Sequence, residues 1–426
     1  MRQRVVRWLI PGGVHYPESH RRLRLFWWDG VLWNIGESLV IAYSTLYALA
    51  LGATTAQIGQ LTSVSNLFGA VALIPGAHVS EVWGQRKRMV FLFSAASRLA
   101  LLFLALIPFF WSSTAAVYAV MAALAWRTFA DNLAKPAGTS FIADIVPLRL
   151  RGRYFSSRNF AMGAVAFAIV PLVGVLIRGL GEISGYQLAW LISFVTAAIG
   201  AVCFAQIPEP EAPAHAAPMT MRELVKNVRY AQPFLAFTVA GLVWNLSLQV
   251  SAPFFNVFLV KDLGGTAAII GVVQAINSMS ALIGQRWFGA RYGKMGDMGI
   301  FRLTGLVIPV LPFIWAGIQS PWHVGFINGI GGFMWAGYNL AQFNLLLSLT
   351  PERGRERFVA IYQTIVFFSA CVAPLAGAWL VDVIGFRALF ALSGAGRLAA
   401  TLLFFRLIAA RQGARQRRPS AAHSSD

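Results

Sequence analysis

Twelve apolar runs of roughly 20 residues, parted by short stretches of charge, proline or glycine, fill the chain between Phe26 and Leu407. They cover Phe26 to Leu51, Ile58 to His78, Met89 to Trp111, Ala115 to Ile145, Phe160 to Leu180 and Leu188 to Ile207. After a polar interval they resume as Pro233 to Val260, Ala267 to Phe288, Ile300 to Gly317, Val324 to Leu349, Phe358 to Ile384 and Ala388 to Leu407. A helix rises about 1.5 Å per residue, so each run matches the hydrocarbon thickness of a bilayer. Only 12% of the 426 residues are charged and 57% are hydrophobic. A soluble chain carries about twice that charged share, so a multi-domain soluble protein is excluded. The fold class expected is an all-α polytopic membrane protein with twelve spans, six and six.

Charge between the runs sets orientation. One set of connections holds Arg86, Lys87 and Arg88, then Arg149, Arg151 and Arg153, then Arg222, Lys226 and Arg229, then Arg291 and Lys294, then Arg353, Arg355 and Arg357. The alternate connections hold only Arg178, Lys261 and Arg387. Positive residues stay inside, so the first set and both basic termini are expected in the cytoplasm, with the chain in the cell membrane. The net charge of +19 is spread along these loops instead of forming one soluble basic module, which argues against nucleic acid as a partner. The first run carries Asp29 and Glu37 and is read as a retained helix, not a leader. Cys203 and Cys371 both lie in apolar runs and support neither a disulfide framework nor a metal site. The organisation expected is a basic tail over 1–24, a six-helix half over 25–207, a linker over 208–232, a second half over 233–408 and a basic tail over 409–426. Within the linker, Thr220 and Glu223 have capping-box spacing and open a short amphipathic helix, lying on the membrane surface or simply solvated.

The halves repeat. Trp33-Asn34 and Trp244-Asn245 are 211 residues apart; Pro147 and Pro351, each followed by three alternate arginines and an aromatic, are 204 apart; Pro171-Leu-Val-Gly174 and Pro374-Leu-Ala-Gly377 are 203 apart. Three ordered pairs at one near-constant offset indicate a duplicated six-span unit. An even number of spans returns the chain to the same side, so the repeats are parallel and related by an axis along the membrane normal.

The loop Glu81-Val-Trp-Gly84-Gln-Arg86-Lys87-Arg88, together with Trp126-Arg127, Pro136, Asp144 and Arg151-Gly152-Arg153, resembles the signature loop and fourth helix of the major facilitator superfamily. The resemblance implies alternating access by rocking halves, with spans one, four, seven and ten lining the cavity. It also implies a cytoplasmic gate built on Glu81, Gly84, Arg86, Asp144 and Arg151. Arg127 falls where many proton-coupled members carry an intramembrane arginine, but Asp131 replaces the glycine usual four residues later. Glu81 stands where the family usually has Asp.

An ionised group at mid-bilayer costs at least about 2.5–3.5 kcal/mol, so each needs a partner or a water-lined cavity. Asp29, Trp33 and Glu37 share one helix face, as do Arg127, Asp131 and Lys135. Two roles are open for them: proton binding by Glu37 or Asp131 against Arg127 or Lys135, or a static lattice that closes the cavity. Asp29, nearest the cytoplasmic end, reads as solvated or gating, and Arg98 as paired locally or facing another helix. The expected cavity wall is Trp33, Asn34, Glu37 and Asn132 from the first half, with Trp244, Asn245, Gln249, Asn256, Trp335, Tyr338, Asn339 and Gln342 from the second. Amides and indoles suit a small organic molecule with an apolar body, and equally suit inter-helical hydrogen bonds.

Primary transport lacks a phosphate-binding Gly-Lys-Ser or Gly-Lys-Thr loop, and the six scattered His give a membrane enzyme no ligand spacing. The function expected is a secondary active transporter of a small organic solute, proton-coupled and monomeric, with no cofactor and no metal. A lipid or lysolipid flippase on the same scaffold is the alternative, because Arg127 and Lys135 would also suit a lipid phosphate.

Overall fold

The computed structural model describes residues 17–83, 85–146, 151–208, 232–350 and 355–416, with some side chains inside these segments left undescribed. Spans one to six are α1 (Pro17–Ala50), α2 (Thr55–Trp83), α3 (Arg86–Phe110), α4 (Ser113–Ile145), α5 (Arg151–Leu180) and α6 (Glu182–Ala205). Span seven is broken into α7 (Gln232–Gln249) and α8 (Phe254–Lys261), since Pro253 cannot donate to the preceding turn. Spans eight and nine are α9 (Ala267–Val307) continued by α10 (Val310–Gly317); span ten is α11 (His323–Leu349); spans eleven and twelve are α12 (Arg355–Gln416). The two long helices each bend at a glycine with positive φ, Gly296 at +63° and Gly385 at +78°, a conformation that costs an L side chain strain. Those corners separate the runs read from the sequence as distinct spans.

Among the described residues, six helical stretches are long and apolar enough to cross a membrane by length and composition. Two of them, Ala267–Gly317 and Ile361–Leu407, are 51 and 47 residues long, more than twice what one crossing needs, and count as two spans each. Spans one, two, four and ten fall outside that set. Three of these, spans one, four and ten, carry polar residues that the sequence assigned to a cavity wall; span seven, the fourth such span, is within the set. The proposed linker helix around Thr220 lies outside the described residues, as do 1–16 and 417–426 of the two basic tails; residues 17–24 and 409–416 continue the first and last helices.

The repeat is visible in packing as well as in sequence. Turn glycines of positive φ recur as Gly52 and Gly264, 212 apart, and as Gly181 and Gly385, 204 apart. Helix starts recur too: Thr54 accepts from the Gln57 backbone at 3.2 Å while its own N–H donates to Gln57 Oε1 at 2.8 Å, and Thr266 accepts from Ile269 at 3.4 Å. The proline–glycine motif has the same job in each half. A Cβ on Gly174 would lie 2.6 Å from the Tyr43 hydroxyl, and one on Gly377 would lie 2.7 Å from the ring of Phe254, 211 residues on from Tyr43.

Span five of the first half packs along span eight, and span two packs along span eleven. These contacts are symmetry mates. A Cβ on Gly271 would sit 2.8 Å from Pro171, and one on Gly59 would sit 2.8 Å from the Pro374 carbonyl. Asn66 adds a donor to the Ala370 carbonyl at 3.3 Å.

The apolar core is divided unevenly. At the end away from the arginine-rich loops, one cluster joins both halves, with Leu46, Tyr47, Ile58 and Val173 of the first packed with Phe254, Phe258, Ile270 and Val381 of the second. At the basic end each half keeps its own cluster, around Phe26, Phe141 and Tyr154 in the first and around Phe237, Phe301 and Phe404 in the second. Among the described residues the halves therefore share one apolar cluster at the first end, the sealed end, and keep separate clusters at the other.

Gly59→Ala and Gly271→Ala should each lower the melting temperature of detergent-purified protein, because overpacking against backbone costs about 1–3 kcal/mol. Gly289→Ala is the control: no atom lies within 4 Å of its Cβ position, so only the gain in helix propensity remains. A lower melting temperature at Gly289 and none at the other two would contradict the close interface.

Candidate functional site

The charged faces of spans one and four do meet. Arg127 is 7% exposed, and its Nη2 donates to Glu37 Oε2 across the helix pair and lies 3.6 Å from Asp131 Oδ2 one turn along its own helix. One guanidinium thus faces two carboxylates. Glu37 and Asp131 keep side-chain exposures of 26% and 28%, which leaves them reachable while Arg127 is enclosed. The sequence places the two carboxylates because residues four apart share a helix face.

A second pair lies beside the first. Arg98 Nη2 donates to Asp29 Oδ1 at 3.0 Å, and both residues are buried. This corrects the reading of Asp29 as a solvated or gating group: the carboxylate is drawn inward because Arg98, on span three, has no nearer counter-charge among the described residues. Arg158 of span five lines the same cavity and lies over the Phe26 ring, 4.8 Å from its centroid. It was missed in the sequence because it sits just ahead of the fifth apolar run.

The cavity that these groups line is about 430 Å³ and is walled by spans one, three, four, five and six. Trp33, Glu37, Asp131, Asn132 and Lys135 all reach it. Asn34 does not line it. One residue round the helix from Trp33, it donates to the Met162 carbonyl at 2.9 Å and so ties span one to span five.

The second half holds a separate cavity of about 170 Å³ toward the sealed end, among spans seven, eight, nine, ten and twelve. Asn256 and Trp335 line it, as expected of cavity residues. Trp244 and Tyr338 are instead stacked on each other, ring centroids 4.8 Å apart, inside the apolar cluster of the basic end. Asn245 returns its amide to the Gly241 carbonyl at 2.8 Å, and Gln342 donates to the Tyr362 hydroxyl at 2.6 Å, joining spans ten and eleven. Gln249 is half-buried at the break in span seven, and Asn339 is exposed. The expected wall residues thus fall in two cavities, one lined by the first half alone and one by the second half alone. Helix periodicity gives a face but not its rotation toward a neighbour.

Four polar residues of the second cavity escaped the sequence reading: Gln274, the paired Asn277 and Asn328, and Arg397. Asn277 Nδ2 lies 3.3 Å from the Asn328 carbonyl and 3.4 Å from its Oδ1. An isolated arginine in the middle of the last apolar run was signal enough for Arg397. The expected gate falls largely outside the described residues: Gly84 and the side chains of Glu81, Asp144 and Arg151 are not described, and Arg86 is half-buried at the start of span three. Among the described residues no cluster of three metal-ligating side chains occurs.

Two six-helix repeats, sealed at one end and carrying paired charges in an internal cavity, define the architecture of a multi-pass membrane transporter. The family model described as Major Facilitator Superfamily matches residues 31–343, and the chain belongs to that family. Membership sets aside the enzyme reading. The multi-drug resistance efflux pump PmrA of Streptococcus pneumoniae serotype 4 is 26% identical over 389 residues, covering 86% of this chain and 91% of that protein. The multidrug resistance protein MdtG of Enterobacter lignolyticus is 26% identical over 395 residues, covering 87% and 88%. Among solved structures, a bacterial homologue of the human lysosomal transporter Spinster, in an inward-facing and occupied conformation, superposes with a TM-score of 0.70 at 14% identity over 93% of this chain and 98% of that one. A D-xylose–proton symporter gives 0.69 at 15% identity, over 91% and 97%. These structures share the fold.

Asp29→Asn should lower stability by about 3–5 kcal/mol, because it leaves the Arg98 charge buried without a counter-charge. The double variant Asp29→Asn/Arg98→Gln should recover much of the loss in thermal melts of purified protein. No recovery would mean that the two side chains act independently.

Proposed function

We propose that this chain is a proton-coupled secondary transporter that moves a small organic solute across the cytoplasmic membrane by alternating access. The observation that carries the proposal is the sharing of one enclosed guanidinium, Arg127, between two partly accessible carboxylates, Glu37 on span one and Asp131 on span four. When one carboxylate takes a proton, Arg127 is left to the other, so a single proton redistributes the attraction between two helices. That is a two-state element, which coupling of proton movement to rocking requires.

Positive loops inside place the basic end in the cytoplasm. On that orientation the halves are joined on the outside and apart on the inside, which is an inward-facing state. Both cavities are built from one chain, which supports action as a monomer. The linker over 208–232 and the gate around Glu81, Gly84, Arg86, Asp144 and Arg151 belong to this reading as the hinge and the cytoplasmic closure. Efflux is the direction that PmrA carries out by its name, and it is the direction proposed here.

In proteoliposomes with an imposed pH gradient, transport of a fluorescent efflux substrate is expected to fall at least about tenfold in Glu37→Gln and in Asp131→Asn, in line with loss of one charge-assisted bond. Downhill exchange without a gradient should survive. Full uphill transport in both variants would reject the coupling role. Gradient-independent scrambling of a labelled lysolipid by the native protein would favour the flippase alternative instead.

A further inference from the structure

Four charged residues are buried among the described residues: Asp29, Arg98, Arg127 and Arg397. The three in the first half answer one another or their neighbours. Arg397, in the second half, does not: it is 3% exposed and enters none of the described ion pairs. Its depth is the least favourable available. Twelve residues separate it from the Gly385 corner and ten from Leu407, so it sits about 15–18 Å from either end of span twelve. One of its donors is used, Nη2 to Ser251 Oγ at 3.1 Å, and that hydroxyl passes its own proton on to Ser393 at 2.8 Å. The buried Nε has no acceptor among the described residues.

Arg397 forms part of the wall of the 170 Å³ cavity. The rest of that wall is amide and apolar: Asn256 and Gln274 are the amides with no described bond of their own, and Trp315 and Trp335 supply aromatic faces. Nothing anionic lines it. The first cavity does not compensate either. It is lined by three carboxylates against four cations, Arg98, Arg127, Lys135 and Arg158, so the two cavities together are positive by two with all groups ionised.

A lone guanidinium in hydrocarbon is costly, and its planar fork matches a carboxylate in a bidentate contact. We propose that the second cavity is an anion subsite, in which Arg397 binds the carboxylate of an organic solute while Asn256 and Gln274 orient it and the tryptophans hold its apolar part. The inference rests on the transporter reading and adds a substrate class to it: organic anions, not the cations that a negative interior would select. The solute supplies the counter-charge that the chain withholds.

The test is equilibrium binding to the full-length protein in detergent, without a pH gradient, read from intrinsic tryptophan fluorescence and thermal shift. Benzoate, benzamide and benzylammonium are the probes, alike in shape and different in charge. Benzoate is expected to bind at least about tenfold more tightly than benzamide, and benzylammonium not at all, as a charged hydrogen bond predicts. Arg397→Gln should abolish the preference, Arg397→Lys should keep part of it, and Asn256→Leu/Gln274→Leu should weaken benzoate alone. Equal binding of benzoate and benzamide by the native protein, no binding of benzoate, or a preference that survives Arg397→Gln overturns the proposal. If Arg397→Gln is not monodisperse, unchanged benzoate affinity in the amide double variant overturns it equally. Since no gradient is present, these outcomes are independent of whether Glu37 and Asp131 carry protons.

Discussion

The expense of charge in hydrocarbon organises the interior of this protein. An ion at mid-bilayer is tolerated only with a counter-ion or water, and the first half meets that demand twice, through Asp29 with Arg98 and through Arg127 with Glu37 and Asp131. Asp29 with Arg98 and Glu37 with Arg127 join different spans, so the same interactions that neutralise charge also hold particular helices together. The cavity is the space left around these pairs. Charged residues that would be costly against lipid are therefore collected around it, from spans one, three, four and five.

The duplicated unit supplies the second constraint. The proline–glycine motif meets Tyr43 in one half and Phe254 in the other, and the glycines opposite the two prolines, Gly59 and Gly271, bring the halves together backbone to backbone. Small residues let helices approach where lipid offers no hydrophobic drive for association. The interface is thus two copies of one contact, span five on span eight and span two on span eleven. A pair of equivalent seams on either side of the molecule permits rocking without separation.

Much of this was legible from the residues. Apolar runs gave the spans, and three motif pairs an offset that the turn glycines and helix caps repeat. Four-residue spacing gave the charged faces of spans one and four, and the family resemblance implied that these faces look toward each other. What the residues withheld was rotation and neighbourhood. Asn34 is adjacent to Trp33 yet faces span five, because one residue turns a helix by about 100°. Asp29 and Arg98 carry no spacing signal, being 69 residues apart, and only packing shows them as a pair. Trp244 and Tyr338 read as ligand-binding aromatics, but they stack on each other, and Tyr338 also on Phe301, within the apolar cluster of the second half. Arg397 formed no face with another charge and so stood outside a reading based on faces.

The cluster that closes the sealed end is made of Leu46, Ile58, Phe254, Phe258, Val381 and similar side chains from both halves. A closure of that kind has the thermodynamics of oil and water: its grip weakens on cooling, is indifferent to ionic screening and is reinforced by salts excluded from protein surfaces. Chilling and sulfate should therefore pull the resting equilibrium in opposite directions.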